Sequence, residues 1–331
     1  MINSKTPLLS QEGCLRASAS RRGGSKAASC RLPAWEPPRL AARVSPPNLR
    51  GELRFLVLFA CLFLLASCAA PRPSSTGTPQ RIISLVPNVT EMLFAFGLGD
   101  KVIGVGDYDQ FPPEVEKKPR VGGLINPNIE KIIEMHPDLV ITYGSQDVLR
   151  ERLESAGIRM FPFSHGNVEH SLQYMLELGR VVGAESQAQR VVGDIRKTFD
   201  EVRALAPKAR PKILLVHDRG AGTLGSFYTV GSRAFQHDLF EIAGGENLFA
   251  DVESETIQPT LEEVISRKPD IILETLPPPR VEADIEQRVK DWESLGLAKG
   301  RIYVEAESYW LVPGPRFALA AKRISEIVRG R

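Results

Sequence analysis

A glycine-rich segment offers the first chemistry that this sequence could perform. Gly220, Gly222 and Gly225 form a GxGxxG pattern, which follows an apolar run typical of a strand. In dinucleotide-binding proteins this pattern opens a helix, and the N-terminus of that helix meets the pyrophosphate. Here residues 226–230 (SFYTV) are typical of an extended chain instead. We therefore expect no dinucleotide to bind at this segment.

The histidines are the next candidates for chemistry, as metal ligands. The chain has five: His136, His165, His170, His217 and His237. None forms a close helical metal pair, and no HExxH motif occurs. A zinc or manganese site would require His165, His217 and a third ligand to converge in the fold. A haem iron would require only one of those two histidines.

Catalytic motifs of α/β enzymes are not found. A hydrolase or nucleotide-sugar enzyme would need a nucleophile paired with a base, or a phosphate-binding loop, at the end of a strand. The sequence contains neither a GxSxG motif nor a Walker loop. An enzyme with two Rossmann-like lobes stays as the alternative from another functional class, and a purely structural surface lipoprotein is a third.

A cysteine near the start of the chain follows an apolar run. Residues 55–66 (FLVLFACLFLLA) are too few to span a bilayer comfortably but suit the apolar core of a secretory signal. The tetrad Leu65-Ala66-Ser67-Cys68 then resembles the lipobox of bacterial lipoproteins, in which the cysteine is lipidated and becomes the new N-terminus. The alternative is a chance cysteine after an ordinary signal. We predict lipidation of Cys68 and a membrane-anchored protein facing the periplasm or the cell exterior.

The segments around that cysteine differ from the rest in composition. Residues 1–50 are rich in Ser, Arg, Pro and Gly without apolar periodicity, which predicts disorder or a start codon placed too far upstream. Residues 68–80 form a polar Pro/Ser/Thr tether. The other three cysteines lie within residues 1–67, so we expect no disulfide and no cysteine metal site in the mature chain.

Charge argues against a nucleic-acid partner. Residues 1–67 hold 10 of the 42 Lys and Arg residues and 3 of the 40 Asp and Glu residues, so the remainder carries a net charge of about −5. A nucleic-acid-binding protein would need a basic face instead.

One sequence pattern, which predicts elements that would position functional side chains, occurs twice. Residues 128–143 (NIEKIIEMHPDLVITY) predict a helix capped by Asn128, a break at His136-Pro137 and a buried strand. Residues 260–275 (TLEEVISRKPDIILET) repeat the pattern, with Glu130 matching Glu262. The repeat predicts two related lobes.

Other segments alternate between strand and helix patterns, which predicts α/β architecture with parallel sheets. A capping box of Asn88 and Glu91 is expected to begin the first helix. Further strands are predicted at 81–86, 102–105, 161–163, 213–217 and 302–305, and helices at 168–182, 233–243 and 316–328. The longest helical pattern, 184–206, separates an N-terminal lobe (81–183) from a C-terminal lobe (207–331). At 1.5 Å per residue it would span roughly 30 Å and restrict hinge motion.

Several motifs share their order and spacing with a known family. They are residues 81–91 (RIISLVPNVTE), Tyr108 with Phe111-Pro112-Pro113, Val121-Gly122-Gly123, both repeated units, residues 244–247 (GGEN) and residues 313–316 (PGPR). Together they resemble the cobalamin/iron-siderophore class of periplasmic substrate-binding proteins of ABC importers. The resemblance implies two Rossmann-like lobes joined by one backbone helix, with the ligand between them. It also implies an ABC permease and its ATPase as partners, no catalysis and no cofactor beyond the transported chelate; we expect a monomer.

The resemblance gives the repeated glutamates a role. In this family one glutamate on each lobe docks onto arginines of the permease, and Glu130 and Glu262 match those positions. Carboxylates on two rigid lobes can register a two-fold permease through charge-assisted pairs. The alternative is two solvated glutamates at helix starts, which the helix dipole favours anyway.

Ligand-binding candidates lie on loops beyond the carboxyl ends of the predicted strands, where open α/β sheets bind ligands. These candidates are Tyr108, Leu124, Tyr143, His165, Tyr228, Thr256, Tyr309, Trp310 and Arg316. The aromatic rings would stack on a flat macrocycle or an aromatic siderophore, and Arg316 would anchor a carboxylate or phosphate. The best-known cobalamin binders have tryptophans where this chain has Leu124 and Thr256. We expect a corrinoid or ferric siderophore as the ligand, with haem or a metal ion as the alternative.

Overall fold

The computed structural model describes residues 77–220, 222–276 and 281–330, which belong to one compact unit, Ala69–Arg331. The predicted leader, signal, lipidated Cys68 and most of the tether lie outside the described residues. Within the described ranges, no helix is long and apolar enough to cross a membrane.

The first lobe is a four-stranded parallel sheet with helices between its strands. Its elements are β1 (Ile82–Ser84), α1 (Pro87–Ala95), β2 (Val102–Val105), α2 (Ile129–Glu134), β3 (Leu139–Tyr143), α3 (Asp147–Ser155), β4 (Arg159–Phe163) and α4 (Val168–Val181). The strand order is β2-β1-β3-β4, and every pairing is parallel. The carboxyl ends of all four strands therefore lie at one edge of the sheet.

The second lobe follows a long helix and repeats this arrangement. Its elements are α5 (Glu185–Ala204), β5 (Lys212–Val216), β6 (Thr229–Val230), α6 (Phe235–Ala243), β7 (Glu246–Asn247), β8 (Thr256–Ile257), α7 (Leu261–Arg267), β9 (Ile271–Thr275), α8 (Glu282–Glu293), β10 (Ile302–Glu305) and α9 (Phe317–Val328). The parallel order is β10-β9-β5-β7, and β6 and β8 form a separate antiparallel pair. Read from the opposite edge, this is the topology of the first lobe, with β9 in the place of β3.

Hydrogen bonds confirm that the two repeated units are structural equivalents. Asp138 accepts a hydrogen bond from the Arg81 backbone N–H at 3.1 Å, and Asp270 accepts one from the Lys212 backbone N–H at 2.9 Å. Each aspartate, which lies between the helix and the strand of its repeated unit, thus ties that unit to the start of the first strand of its own lobe. Asn128 caps α2 as predicted, accepting from the Lys131 backbone N–H at 2.9 Å.

The two sheets face one shared core. Alternate strand residues point to opposite faces, and Ile82 and Ile141 in the first lobe pack into the same apolar cluster as Ile213 and Leu273 in the second. The helices α4, α5, α6 and α9 complete this cluster. The remaining faces of the two sheets bury separate clusters of their own. The lobes are therefore held together by continuous apolar packing as well as by the chain.

The long helix predicted between the lobes is confirmed as α5. It buries one stripe, Ala188, Val192, Ile195, Phe199 and Val202. It packs against α4 of the first lobe and against α6 and α9 of the second. A 20-residue helix is about 30 Å long. The helix α5 therefore contacts both lobes over much of the interface between them.

One expectation about helices was wrong, and two helices were not predicted. The helix α1 begins at Pro87 with no side-chain cap, and Asn88 and Glu91 are buried instead of forming a capping box. A proline in the first turn starts a helix without a capping side chain, which leaves both polar groups free for partners in the second lobe. The helices α3 and α8 were not predicted, because their sequences are mostly polar and their apolar stripes are narrow.

Candidate ligand-binding cleft

A cleft of about 380 Å³ lies between the two lobes, beyond the carboxyl ends of their strands. The first lobe contributes Tyr143, at the end of β3, and His165, just after β4. The second contributes His217 and Asp218, just after β5, with Glu255 and Thr256 near β8. Parallel topology explains this convergence, because it brings the ends of strands distant in sequence to the same edge.

The first-lobe wall consists of rings in edge-on contact. The Tyr143 ring contacts the His165 ring edge-on, with centroids 5.1 Å apart, and the His165 ring contacts Phe163 in turn. Burial lowers the pKa of His165, partly offset by the nearby Glu255 carboxylate. His165 is therefore a neutral imidazole at pH 7. Burial, together with Glu255, raises the pKa of Tyr143, so its phenol keeps its proton.

The second-lobe wall has a matching aromatic pair. The ring of His217 stacks on that of Tyr228 at 5.7 Å with planes 24° apart, and their backbones exchange two hydrogen bonds of 2.9 Å. Asp218 adopts a left-handed conformation with φ of 56°, which turns the chain sharply after β5. Its carboxylate lies 3.3 Å from Nδ1 of His217, and 69% of the side chain stays exposed.

A buried network fixes the segment that follows Asp218. Glu274 on β9 accepts hydrogen bonds from Arg219 at 2.9–3.1 Å and from Trp292 at 2.7 Å, and it also pairs with Arg288. Arg219 also bonds Asp291 at 2.8 Å. Charged groups this deeply buried need such partners. The glycine-rich segment is thus an anchored loop that continues into β6, with no helix at 222–230, as the sequence predicted.

The candidates predicted from sequence fall into two groups. Tyr143 and Thr256 line the cleft. Tyr228 lies behind the lining residue His217, and the two rings stack. Tyr108 is 67% exposed, and Leu124 is half-buried against the shared core; neither lines this cavity.

The structure places the second-lobe candidates before α9 in the interior. Trp310 is 1% exposed in the shared core, so its ring faces protein atoms and not the cleft. Tyr309 is half-buried against Trp310, with ring centroids 5.4 Å apart. Arg316 pairs through both prongs with Glu91 of the first lobe, at 2.6 and 2.9 Å, and stacks on the ring of Phe111. The expected anchor is thus engaged by the protein itself.

Sequence reasoning missed two carboxylates on the cleft. Asp218 lies just after the end of β5, so the rule that identified the other candidates, a position beyond a strand end, could have found it. Glu255 belongs to the turn before β8, and no local pattern distinguishes it. Its position on the cleft depends on how the β6–β8 pair folds against β5.

Other sites considered from sequence do not form among the described residues. No group of three or more His, Cys, Asp or Glu side chains in those ranges could hold a metal ion. A larger open depression of about 1000 Å³ lies along α3 and the edge strand β4. Its described lining comes from the first lobe alone, so it does not share the geometry of a site between lobes.

The repeated glutamates lie on separate lobes, in the first turns of α2 and α7. Glu130 is exposed and lies 3.4 Å from Arg152, which is also exposed. Glu262 is likewise exposed. Neither lines the cleft.

Comparisons with known proteins agree with this geometry. The profile of the periplasmic binding protein family matches residues 82–288. The vitamin B12-binding protein of Photorhabdus laumondii is 28% identical over 269 residues, which cover 80% of this chain and 94% of that protein. The ABC transporter substrate-binding lipoprotein YvrC of Bacillus subtilis is 28% identical over 260 residues, covering 76% and 80%.

A solved structure shares the fold. The periplasmic haem-binding protein RhuT of Roseiflexus sp. RS-1 superposes with a TM-score of 0.65 at 23% identity, covering 76% of this chain and 98% of that one. The family profile, the relatives and the two-lobed parallel fold agree: the chain belongs to the periplasmic binding protein family, the substrate-binding components of ABC importers.

Proposed function

We propose that this protein captures a corrinoid or a ferric siderophore in the cleft and delivers it to an ABC permease. The observation that carries the proposal is the pair of aromatic walls, Tyr143–His165 on one lobe and His217–Tyr228 on the other. Aromatic rings contributed by both lobes of a cleft suit a flat or aromatic metal chelate. The vitamin B12-binding relative supports this ligand class.

The protein binds and releases its ligand without chemical change. Members of its family serve transport, so the proposal includes no catalytic step. No cofactor of its own enters the proposal. A two-lobed Rossmann-like enzyme remains the competing class, and turnover of a bound chelate would favour it.

Delivery uses Glu130 and Glu262 as docking contacts for the permease. Both are exposed, both begin a helix of a repeated unit, and each lies on a different lobe. Such placement allows one partner to contact both lobes at once.

The protein acts outside the cytoplasm, as its family does, and we propose a lipid on Cys68 as its anchor. The supporting observations are the apolar run and lipobox-like tetrad in the sequence and the lipoprotein relative. The mature protein acts as a monomer.

Binding titrations test the ligand. The purified protein is titrated with cyanocobalamin, dicyanocobinamide, haem and ferric hydroxamates while tryptophan fluorescence and ligand absorbance are followed. Micromolar or tighter binding of a corrinoid or ferric hydroxamate is expected. No binding at micromolar concentration to any of the four would contradict the proposal.

Haem is the second candidate ligand, favoured by one observation. His165 is a neutral imidazole on the cleft wall, and neutral imidazole is a ligand for haem iron. The solved haem-binding RhuT shares the fold. A Soret shift that His165→Ala abolishes would identify haem as the ligand and this histidine as its axial contact.

A further inference from the structure

The cleft is negatively charged among its described lining residues. Asp218 and Glu255 both lie on it, and none of the described lining residues is a lysine or arginine. Glu255 lies close enough to Tyr143 and His165 on the first-lobe wall for its charge to influence the pKa of both. Its charge therefore acts within the cleft.

The nearby arginines are occupied elsewhere. Arg316 is held by Glu91 in a two-pronged pair, and Arg219 is fully buried beneath the loop with Glu274 and Asp291. The guanidinium of Arg233 pairs with Glu253 at 3.1 Å. A ligand carboxylate entering the cleft would therefore meet Asp218 and Glu255 without a free guanidinium among these three to bind it.

We propose that Asp218 and Glu255 determine specificity, selecting a neutral or cationic chelate with amide N–H donors on its rim against a chelate that carries carboxylates. The inference rests on the proposed function and refines it. Carboxylates accept hydrogen bonds from amide N–H groups and repel other carboxylates. A corrin ring surrounded by carboxamides meets this requirement, as does a cationic ferric hydroxamate, whereas haem with its two propionates does not.

Two ligands that share ring and metal test the proposal directly. Haem is compared with its diamide, in which both propionates are converted to carboxamides, and dicyanocobinamide serves as the corrinoid probe. We expect the diamide to bind about tenfold more tightly than haem at low salt, since each cleft carboxylate contributes roughly threefold. The preference should shrink at 1 M salt, where the screening length falls to about 3 Å.

Isosteric variants assign the preference to the two residues. Asp218→Asn and Glu255→Gln should each reduce the ratio to about threefold, and the double variant should nearly abolish it. Asparagine tolerates the left-handed backbone of Asp218, so the first change leaves the loop intact. Glu201→Gln is the control: it removes an exposed carboxylate of α5 that lies outside the cleft lining, and it should leave the ratio unchanged.

The outcomes separate the two proposals. Binding of dicyanocobinamide together with equal or tighter binding of haem over its diamide would overturn the specificity inference and leave the proposed function standing. A ratio unaffected by both cleft variants would also overturn it. Absence of binding to dicyanocobinamide, both haem forms and ferric hydroxamates would overturn the proposed function itself.

Discussion

Glu91 of the first lobe and Arg316 of the second form a two-pronged ion pair, with Nε–Oε2 and Nη2–Oε1 distances of 2.9 and 2.6 Å. Only 5% of the Glu91 side chain and 15% of the Arg316 side chain are exposed. Burial raises the pKa of Glu91 even though Arg316 opposes that rise. The pair therefore carries a desolvation cost, and it links the two lobes directly.

Breaking this pair on one side should be costly. Arg316→Gln leaves a buried carboxylate without its partner, and we expect a loss of about 3–5 kcal/mol in the free energy of unfolding. The double variant with Glu91→Gln should lose less, because no charge remains unpaired. Urea denaturation measures both.

An exposed pair provides the control for that experiment. Arg196 and Glu169 lie 2.8 Å apart, with about half of each side chain exposed. Arg196→Gln should cost at most about 1 kcal/mol. Equal losses from Arg196→Gln and Arg316→Gln would contradict the role assigned to burial.

Asp109 should make stability depend on pH. It is 1% exposed, and burial raises its pKa to about 7, outweighing the opposing effects of Thr90, Arg120 and the Gly106 backbone. Between about pH 4 and 7 the folded protein keeps a proton that the unfolded chain has lost. The contribution of Asp109 to stability is therefore greatest below pH 4 and falls as the pH rises through 7.

Asp109→Asn removes this dependence. The variant should be more stable than the parent protein above pH 7, by roughly 4 kcal/mol at most, and nearly equal to it at pH 4. Unfolding followed by circular dichroism from pH 4 to 8 measures the difference. Parallel stability curves for the two proteins would show that Asp109 titrates normally.

Glu274 should support the cleft as well as the fold. Glu274→Gln weakens its bonds to Arg219, Arg288 and Trp292 and leaves both arginines without a full counter-charge. A loss of about 3–5 kcal/mol in unfolding free energy is expected, together with weaker chelate binding, because Arg219 anchors the loop after Asp218. Asp284→Asn is the control. The Asp284 carboxylate is partly exposed, and its distance to Nε of Arg288 is 3.5 Å. Unchanged chelate affinity in a folded Glu274→Gln protein would separate the network from the cleft.

Docking through Glu130 and Glu262 predicts that their loss affects the permease and not ligand binding. Replacement of Glu130 and Glu262 by alanine should reduce stimulation of the permease ATPase at least tenfold while chelate affinity stays unchanged, because charge-assisted contacts at an interface carry much of its orientation. Glu134→Ala removes another exposed carboxylate of the same helix α2 as a control. If chelate affinity fell together with stimulation, the two glutamates would belong to the fold or the cleft instead.

The proposed lipid anchor would be attached at one atom, the Sγ of Cys68. Cys68→Ser should abolish incorporation of labelled palmitate and release the protein into the soluble fraction of the producing bacterium. A protein still labelled with lipid after this change would place the modification elsewhere. Cys61→Ser, inside the apolar run, is the control and should leave labelling intact.

Structural elements that are specified by residues close together in the chain could be predicted from the sequence. The repeated units 128–143 and 260–275, the strand Val102–Val105 and the interlobe helix α5 were all predicted, since cap, break and apolar stripe lie within a few turns of each other. From these and from the resemblance, the two-lobed parallel architecture followed. The sequence by itself thus determined the fold class, and it predicted the edge of the sheets at which the cleft between the lobes lies.

Contacts between distant segments were decided only by the tertiary structure. Asn88 and Glu91 have the spacing of a capping box, yet Glu91 pairs with Arg316, which is 225 positions away. Trp310 resembles a ligand platform but lies in the core shared by both lobes. The reason is physical: a buried charge requires a partner wherever one is found, and a large ring is buried wherever the packed lobes leave room for it. No local pattern specifies either choice.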